Sequence, residues 1–376
     1  MHSKGIRIIA IMLLLFIPFS LLFWPMPQQS TLVSADNDTL PQSFSTKLEQ
    51  YVKNRFPFSA FLGRLRFDLL LFSGQYEQNG VFINSSGLLK RIALPDTPTI
   101  KNNVDVIIRF ANEARTWDCP VFVSIFPSAS AIYQQNLPPF SNTVNQRQFI
   151  DDTLMQLSGH VIPISMYSHL DAQRKQYIFY RTEDNLTSLG GFHVYSQLLS
   201  RMLNVEPPTL QSYNLSYPVN NYFGDLYERS PYNEVEPDSL TLFHYTNFNR
   251  EYIVTHTSLT TRKTYNTLFP EHLAALGRET DIFMGGLSAV TNINSSAPYS
   301  RKLLIFGDKS ALAYAPFLAN HYQQITIVDL FDPDLTVSGI SLQNYTQVLF
   351  AYNAETLMTQ KIPSDILLER IMPTEA

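Results

Sequence analysis

Cysteine is almost absent. Cys119 stands alone in 376 residues, so no internal disulfide can form and stability has to come from packing. No Cys/His cluster shows zinc spacing and no nucleotide-binding signature occurs, so the sequence gives no reason to expect a metal or a cofactor. Positive charge is not in excess either. Lys plus Arg number 27 against 32 Asp plus Glu, a formal charge of -5, which leaves no general means of neutralising a phosphate backbone and argues against nucleic acid as a partner. Internal repeats, heptads and low-complexity tracts are missing, which removes solenoids and coiled coils. What remains is apolar: 45% hydrophobic and 13% aromatic residues fill a sizeable core and exclude disorder.

The first residues point to a compartment. Lys4 and Arg7 precede an uncharged apolar run from Ile8 to Trp24 that contains Pro18 and Ser20. At about 1.5 Å per residue it reaches roughly 25 Å, just short of a hydrocarbon core of about 30 Å. The basic side favours a cytoplasmic N-terminus with the rest exported. The reading preferred is an uncleaved signal anchor, with residues 1–7 as stub, 8–24 as single-pass span and 25–42 as linker. The rival is a signal peptide cut after Val33-Ser34-Ala35, a pattern that lies far beyond the apolar run. Either way the bulk is extracytoplasmic, and the anchor reading places it at the cell membrane.

From Phe44 to Phe72, apolar residues at spacings of three and four predict two helices broken at Pro57, the start of a helical lead-in over 43–95. Beyond it, short apolar runs alternate with longer periodic segments, the pattern of an α/β fold with a doubly wound parallel sheet. The predicted strands are Val121–Phe126, Val161–Ser165, Leu303–Phe306, Ile325–Asp329 and Val348–Tyr352. The predicted helices are Val104–Trp117, Gln146–Leu157, Thr187–Leu203 and Ala311–Tyr322, the last disturbed by Pro316. Residues from about 205 to 300 break the rhythm and read as a β-rich insertion in a domain spanning 96–376.

Ligands in open α/β sheets sit at the carboxyl ends of strands. Two corners qualify: Tyr180 to Thr187, which runs into a helix, and Gly307-Asp308-Lys309-Ser310, between a strand and a helix. Ser310 at a helix N-terminus suits a nucleophile turn and equally suits a helix cap. Thr182 and the residues Glu183 to Asn185 likewise suit a capping region, where carboxylates are favoured by the helix dipole.

With their flanks, these corners resemble the bacterial DHHW family, related to the alginate O-acetyltransferases and their SGNH-hydrolase-like domain. The resemblance rests on ordered blocks: Phe56-Pro57-Phe58 with Asn79-Gly80-Val81-Phe82; Pro127-Ser128-Ala129-Ser130 with Ile132-Tyr133; Tyr180-Arg181-Thr182 with Leu189-Gly190. Next come Phe223 to Tyr227 with Pro237-Asp238, then Gly285-Gly286, and Lys302 to Ile305 with Pro316-Phe317-Leu318 and Ile325 to Leu330. The resemblance implies an extracytoplasmic, membrane-attached SGNH-like domain. It also implies a role in O-acetylating cell-envelope polysaccharides beside a membrane-bound O-acyltransferase. In that group an Asp-His-His-Trp motif supplies an acid and a histidine, and a Lys-Asp-Ser-Tyr turn supplies the nucleophilic serine.

This chain departs from the pattern where chemistry would occur. Glu183 falls at the aspartate, Asp184 and Asn185 at the histidines, Leu186 at the tryptophan and Lys309 at the serine, with Ser310 one place later. A carboxamide cannot act as general base, and an ammonium is a poor nucleophile at neutral pH. Losing one central triad member costs on the order of 10⁴ to 10⁶ in rate. Ser310 is rotated by about 100° from the serine position, and His193 lies roughly 12 Å further along the helix. His160, His169 and His321 are more distant substitutes. Three readings remain open. The first is a pseudoenzyme that binds or scaffolds polysaccharide, with Arg181, Asp308 and Lys309 forming a pocket for an anionic glycan. The second is an O-acetyltransferase or acetylesterase that uses Ser310 with a relocated base. The third is a structural envelope protein that only keeps the fold.

Overall fold

Two residues set the first hairpin. Strands β1 (Glu77–Gln78) and β2 (Val81–Asn84) pair antiparallel with Gln78 opposite Val81, so Asn79 and Gly80 alone make the turn, at φ 51° and 73°. This left-handed pair matches the twist of a hairpin and is tolerated best by Asn-Gly. β3 (Gly87–Lys90) pairs with the other edge of β2. β1 to β3 therefore form a small antiparallel sheet, so the described residues 77–84 and 87–90 of the expected lead-in are strand and turn and not helix.

The computed structural model describes Gly74 and residues 76–372, except 85–86, 139–140, 142, 233, 247–249 and 338. The expected stub, anchor, linker and paired helices of 44–72 lie outside the described residues. Among the described residues no helix is long and apolar enough to cross a membrane.

The central sheet is mixed and rich in parallel pairs. Its strands are β4 (Val121–Phe126), β5 (Ile162–Ser165), β8 (Tyr252–Thr257), β9 (Arg262–Tyr265), β10 (Val290–Ser295), β11 (Lys302–Gly307), β12 (Gln324–Val328) and β13 (Gln347–Asn353). They run in the order β5-β4-β13-β11-β12-β10-β8-β9. The first five are mutually parallel, and the last three are added antiparallel. All five predicted strands are present. β4 is buried at every residue, β11 at every residue but Lys302, and β13 at every residue but its two ends, which requires cover on both faces. The stretch expected as an insertion divides in two. β6 (Tyr213–Tyr222) and β7 (Asp238–Tyr245) form a separate two-stranded ribbon, whereas β8 to β10 extend the main sheet.

The helices are α1 (Thr97–Thr116), α2 (Ala129–Ile132), α3 (Gln146–Leu157), α4 (Tyr167–Ala172), α5 (Ser188–Leu203), α6 (Asp225–Arg229), α7 (Ala311–Leu318) and α8 (Ala354–Thr359). α1 packs with α3 and α8, while α5 packs with α4 and α7, giving two sets. On the first, Phe110 of α1 meets Phe306 and Phe350 edge to face at 5.5 and 5.4 Å. On the second, Tyr195 of α5 stacks on Phe317 of α7 at 5.4 Å. Gly191 makes the second contact possible: a Cβ there would lie 2.0 Å from the Ala313 carbonyl oxygen. Only glycine lets the two backbones approach this closely. The predicted helix from Ala311 ends at Leu318. Past Pro316 the chain tightens, with His321 N–H donating to Leu318 O at 2.8 Å.

Candidate functional site

The corner at residues 177–187 is held by groups far away in sequence. Asp238, buried at the start of β7, accepts from the backbone N–H of Arg181 at 2.8 Å, from the N–H and hydroxyl of Thr182 at 2.9 and 2.5 Å, and from the Tyr177 hydroxyl. The Thr182 hydroxyl in turn accepts from Gly224 N–H at 2.9 Å, and Thr182 O accepts from Leu226 N–H at 3.0 Å. A side chain at Gly224 would collide with Glu183, since its Cβ would fall 2.5 Å from that of Glu183. The blocks Phe223 to Tyr227 and Pro237-Asp238 thus clamp the loop that presents Glu183.

Thr182 is not a cap. That role falls to Thr187, whose hydroxyl accepts from Gly190 N–H at 3.1 Å and opens α5. At the other corner turning begins earlier than expected: Ala311 N–H donates to Asp308 O and Leu312 N–H to Lys309 O. Ser310 therefore lies inside the first turn, at φ −59° and ψ −23°, and its side chain does not cap. Asp308 does, accepting from Ser310 N–H at 3.0 Å with one oxygen and from Asn353 N–H at 2.6 Å and the Thr356 hydroxyl at 3.0 Å with the other. One Asp308 oxygen thus caps α7 while the other ties the end of β11 to β13 and α8. Asp308 does not line the crevice that holds Lys309.

Glu183 and Lys309, 126 positions apart, meet. Lys309 Nζ lies 2.5 Å from Glu183 Oε1, and the Tyr222 hydroxyl donates to Glu183 Oε2 at 2.5 Å. The Glu183 side chain is 4% exposed and that of Lys309 56%, so a buried carboxylate is neutralised by an ammonium reaching in from the surface. Burial and the Glu183 charge push the Tyr222 phenol far above its ordinary range, so it stays a donor. Tyr180, Asn185, Phe283 and Leu312 line the same crevice, whose free volume of about 20 Å³ has room for one water and none for a sugar ring.

Asn185 faces that crevice, yet its carboxamide oxygen accepts from Leu186 N–H at 2.9 Å, so it braces the turn. Among the described residues no histidine lines the crevice. His193 Nε2 pairs with Gln176 Oε1 at 3.1 Å, His169 Nε2 with His193 O at 3.0 Å, His321 Nε2 with the Tyr195 hydroxyl at 2.7 Å, and His160 Nδ1 with Asn112 at 2.9 Å. Burial lowers His193 and His321 to about 4, so both are neutral and already engaged at pH 7. Among the described residues none of these histidines is hydrogen-bonded to Ser310. Arg181 lies outside the crevice, on the wall of a larger groove.

Asp184 turns the other way, into a cluster with Lys90 and Glu355. Lys90 Nζ is 3.8 Å from Asp184 Oδ2 and in direct contact with Glu355. Burial raises Asp184 to about 6 against the pull of Lys90. Burial also works to lower Lys90, but the two carboxylates outweigh it and hold the ammonium above its usual value. Sequence reasoning missed this cluster, together with Tyr222 and the role of Asp238. Lys90 and Glu355 are 265 positions apart and no motif joins them.

The sequence model of the DHHW proteins matches residues 99–328, more than half of the 376 residues. The chain belongs to the DHHW family. No curated protein sequence matches it. Among solved structures it is similar to a DHHW family protein from Eubacterium siraeum DSM 15702, at TM-score 0.63 and 20% identity over 79% of this chain and 98% of that one. It is also similar to Bacillus cereus PatB1 carrying a sulfonyl adduct, at TM-score 0.61 and 16% identity over 74% of this chain and 96% of that one. At these identities the likeness establishes the fold alone.

Proposed function

We propose that this DHHW protein is a catalytically inactive, extracytoplasmic member of its family, held at the cell membrane through residues 8–24. In this reading it binds envelope polysaccharide and works beside a membrane-bound O-acyltransferase without transferring acetyl groups itself. One observation carries the reading. The position expected to hold a nucleophilic serine holds Lys309, whose ammonium is consumed by the carboxylate at the acid position. An acyl transfer needs a nucleophile, a base to take its proton and donors for the oxyanion. The crevice offers an ammonium, a carboxamide tied to backbone and a carboxylate already paired. Ser310 forms no hydrogen bond with any histidine among the described residues, so the alternative of an active acetyltransferase or acetylesterase lacks a proton acceptor.

The test is to incubate the purified protein and its Ser310→Ala variant with an aryl acetate and with an acetylated oligosaccharide. Acetate release no faster than in buffer, and equal for both proteins, is the expected result. Faster release that disappears in Ser310→Ala would replace this reading with the enzymatic one. Retention of the oligosaccharide without release separates a binding protein from one that only keeps the fold.

A further inference from the structure

The crevice is too small for sugar, but the same loop opens on its other side into a groove of about 540 Å³, within the roughly 300–1,000 Å³ usual for ligand sites. Tyr180 lines both. Tyr133, Gln135 and Asn136, with residues between Arg174 and Arg181, supply much of the groove's lining, on the connections that follow β4 and β5 in the chain. Its far wall is the β2–β3 hairpin, fixed to the loop by Leu88 N–H donating to Arg181 O at 2.7 Å. Gly87 allows that approach, since even a Cβ would lie 3.1 Å from the Arg181 Cα.

The lining alternates flat rings with primary amides. Tyr133 and Tyr177 are half-buried, each with its hydroxyl turned to the protein, on Gln176 O at 3.5 Å and on Asp238 respectively. Aromatic faces of this kind suit the C–H face of a sugar ring. Gln135 brings an exposed amide, which both donates to and accepts from hydroxyls, whereas the Gln176 amide is engaged by His193 and Gln173. The charges are unequal in their freedom. Arg174 is paired with Asp171 at 2.9 Å, and Arg181 lies over the Tyr177 ring at 4.6 Å and 3.7 Å from Glu236. Glu234 accepts from the Tyr232 hydroxyl at 2.7 Å. Lys175 also lines the groove, is exposed, and has no ion-pair partner among the described residues.

We propose that this groove is the saccharide-binding site and that it selects an oligosaccharide bearing a carboxylate or phosphate, which Lys175 takes as counter-ion while Tyr133 stacks a sugar ring. The proposal rests on the polysaccharide-binding reading above and adds where the glycan lies and what charge it carries.

An array of neutral, amino, carboxylated and phosphorylated oligosaccharides, probed with the full-length protein and two variants at exposed positions, Lys175→Glu and Gln135→Ala, tests it. Binding to acidic members is expected, with carboxylated and phosphorylated probes separating the two anion sources. Lys175→Glu is expected to weaken it about tenfold or more, and Gln135→Ala several-fold, with melting temperatures unchanged. Acidic binding that is the same in both variants would overturn the groove assignment and leave the polysaccharide-binding reading standing. A preference for neutral or amino members would overturn the charge assignment. Failure to bind any member would overturn the groove and the polysaccharide-binding reading together.

Discussion

Lys309→Met removes the charge from the crevice while keeping most of the stem, and its effect follows from how unequally the ion pair is exposed. After the change Glu183 remains buried with the Tyr222 hydroxyl as its donor. Taking one partner from a fully buried pair costs about 3–5 kcal/mol, whereas a pair at the surface is worth about 0–1 kcal/mol. The lysine side chain is 56% exposed and the glutamate 4%, so water reaches the vacated side of the carboxylate and the loss falls between those limits. A decrease of about 1–2 kcal/mol in unfolding free energy is expected. Glu183→Gln should cost less, about 1 kcal/mol or below, because the freed ammonium returns to water and the amide oxygen still accepts from Tyr222. Urea denaturation of the native protein, both single variants and the double variant closes a cycle, and a coupling near 1 kcal/mol is expected. Coupling within about 0.3 kcal/mol of zero, the usual error of additivity, would mean that the pair does not form in solution. A Lys309→Met protein more stable than native would refute the reasoning as well.

Three further outcomes are expected. The carboxyl of Asp184, raised by burial to about 6 from about 3.9 in an unfolded chain, gives stability that is full below about pH 4 and is lost as pH rises through 6. The loss is at most about 3 kcal/mol, and Asp184→Asn should therefore gain on the native protein between pH 4 and pH 7 in denaturant midpoints. A difference that stays flat with pH would contradict this. Gly191→Ala places a methyl 2.0 Å from the Ala313 carbonyl and should destabilise by about 3 kcal/mol or more, seen as a marked drop in melting temperature, and native-like stability would show that α5 and α7 are not so close. Asp238→Asn weakens four hydrogen bonds to residues 177–182. It should lower stability by about 2–4 kcal/mol and open that loop to limited proteolysis, and an unchanged digestion pattern would argue that the clamp lies elsewhere.

The parts of the fold that could be read in advance are those with a local cause. β4, β11 and β13 are buried on both faces, so their sequences are near-continuous apolar runs, interrupted inside only by Ser124, and the bounds of α3 follow from its own periodicity. The hairpin at Asn79-Gly80 had an equally local signal. The fate of β8 to β10 had none. Whether a strand joins the main sheet or a separate ribbon depends on tertiary pairing, such as Val290 with Val328, which no window of sequence contains. At the candidate site the order of motifs located Glu183, Asn185 and Lys309, and they line one crevice. That Lys309 closes on Glu183, that Asp308 serves the backbone and that Asp238 holds the loop from 56 positions away are facts of packing between distant segments.

The central claim is that no group in this protein forms a covalent intermediate with an acyl donor. The intact mass of the purified chain after exposure to a sulfonyl fluoride, and separately to an aryl acetate, measures that directly. The account predicts an unchanged mass for the native protein under both reagents. Sulfonyl or acetyl mass added stoichiometrically at Ser310, or at any other hydroxyl, would contradict it.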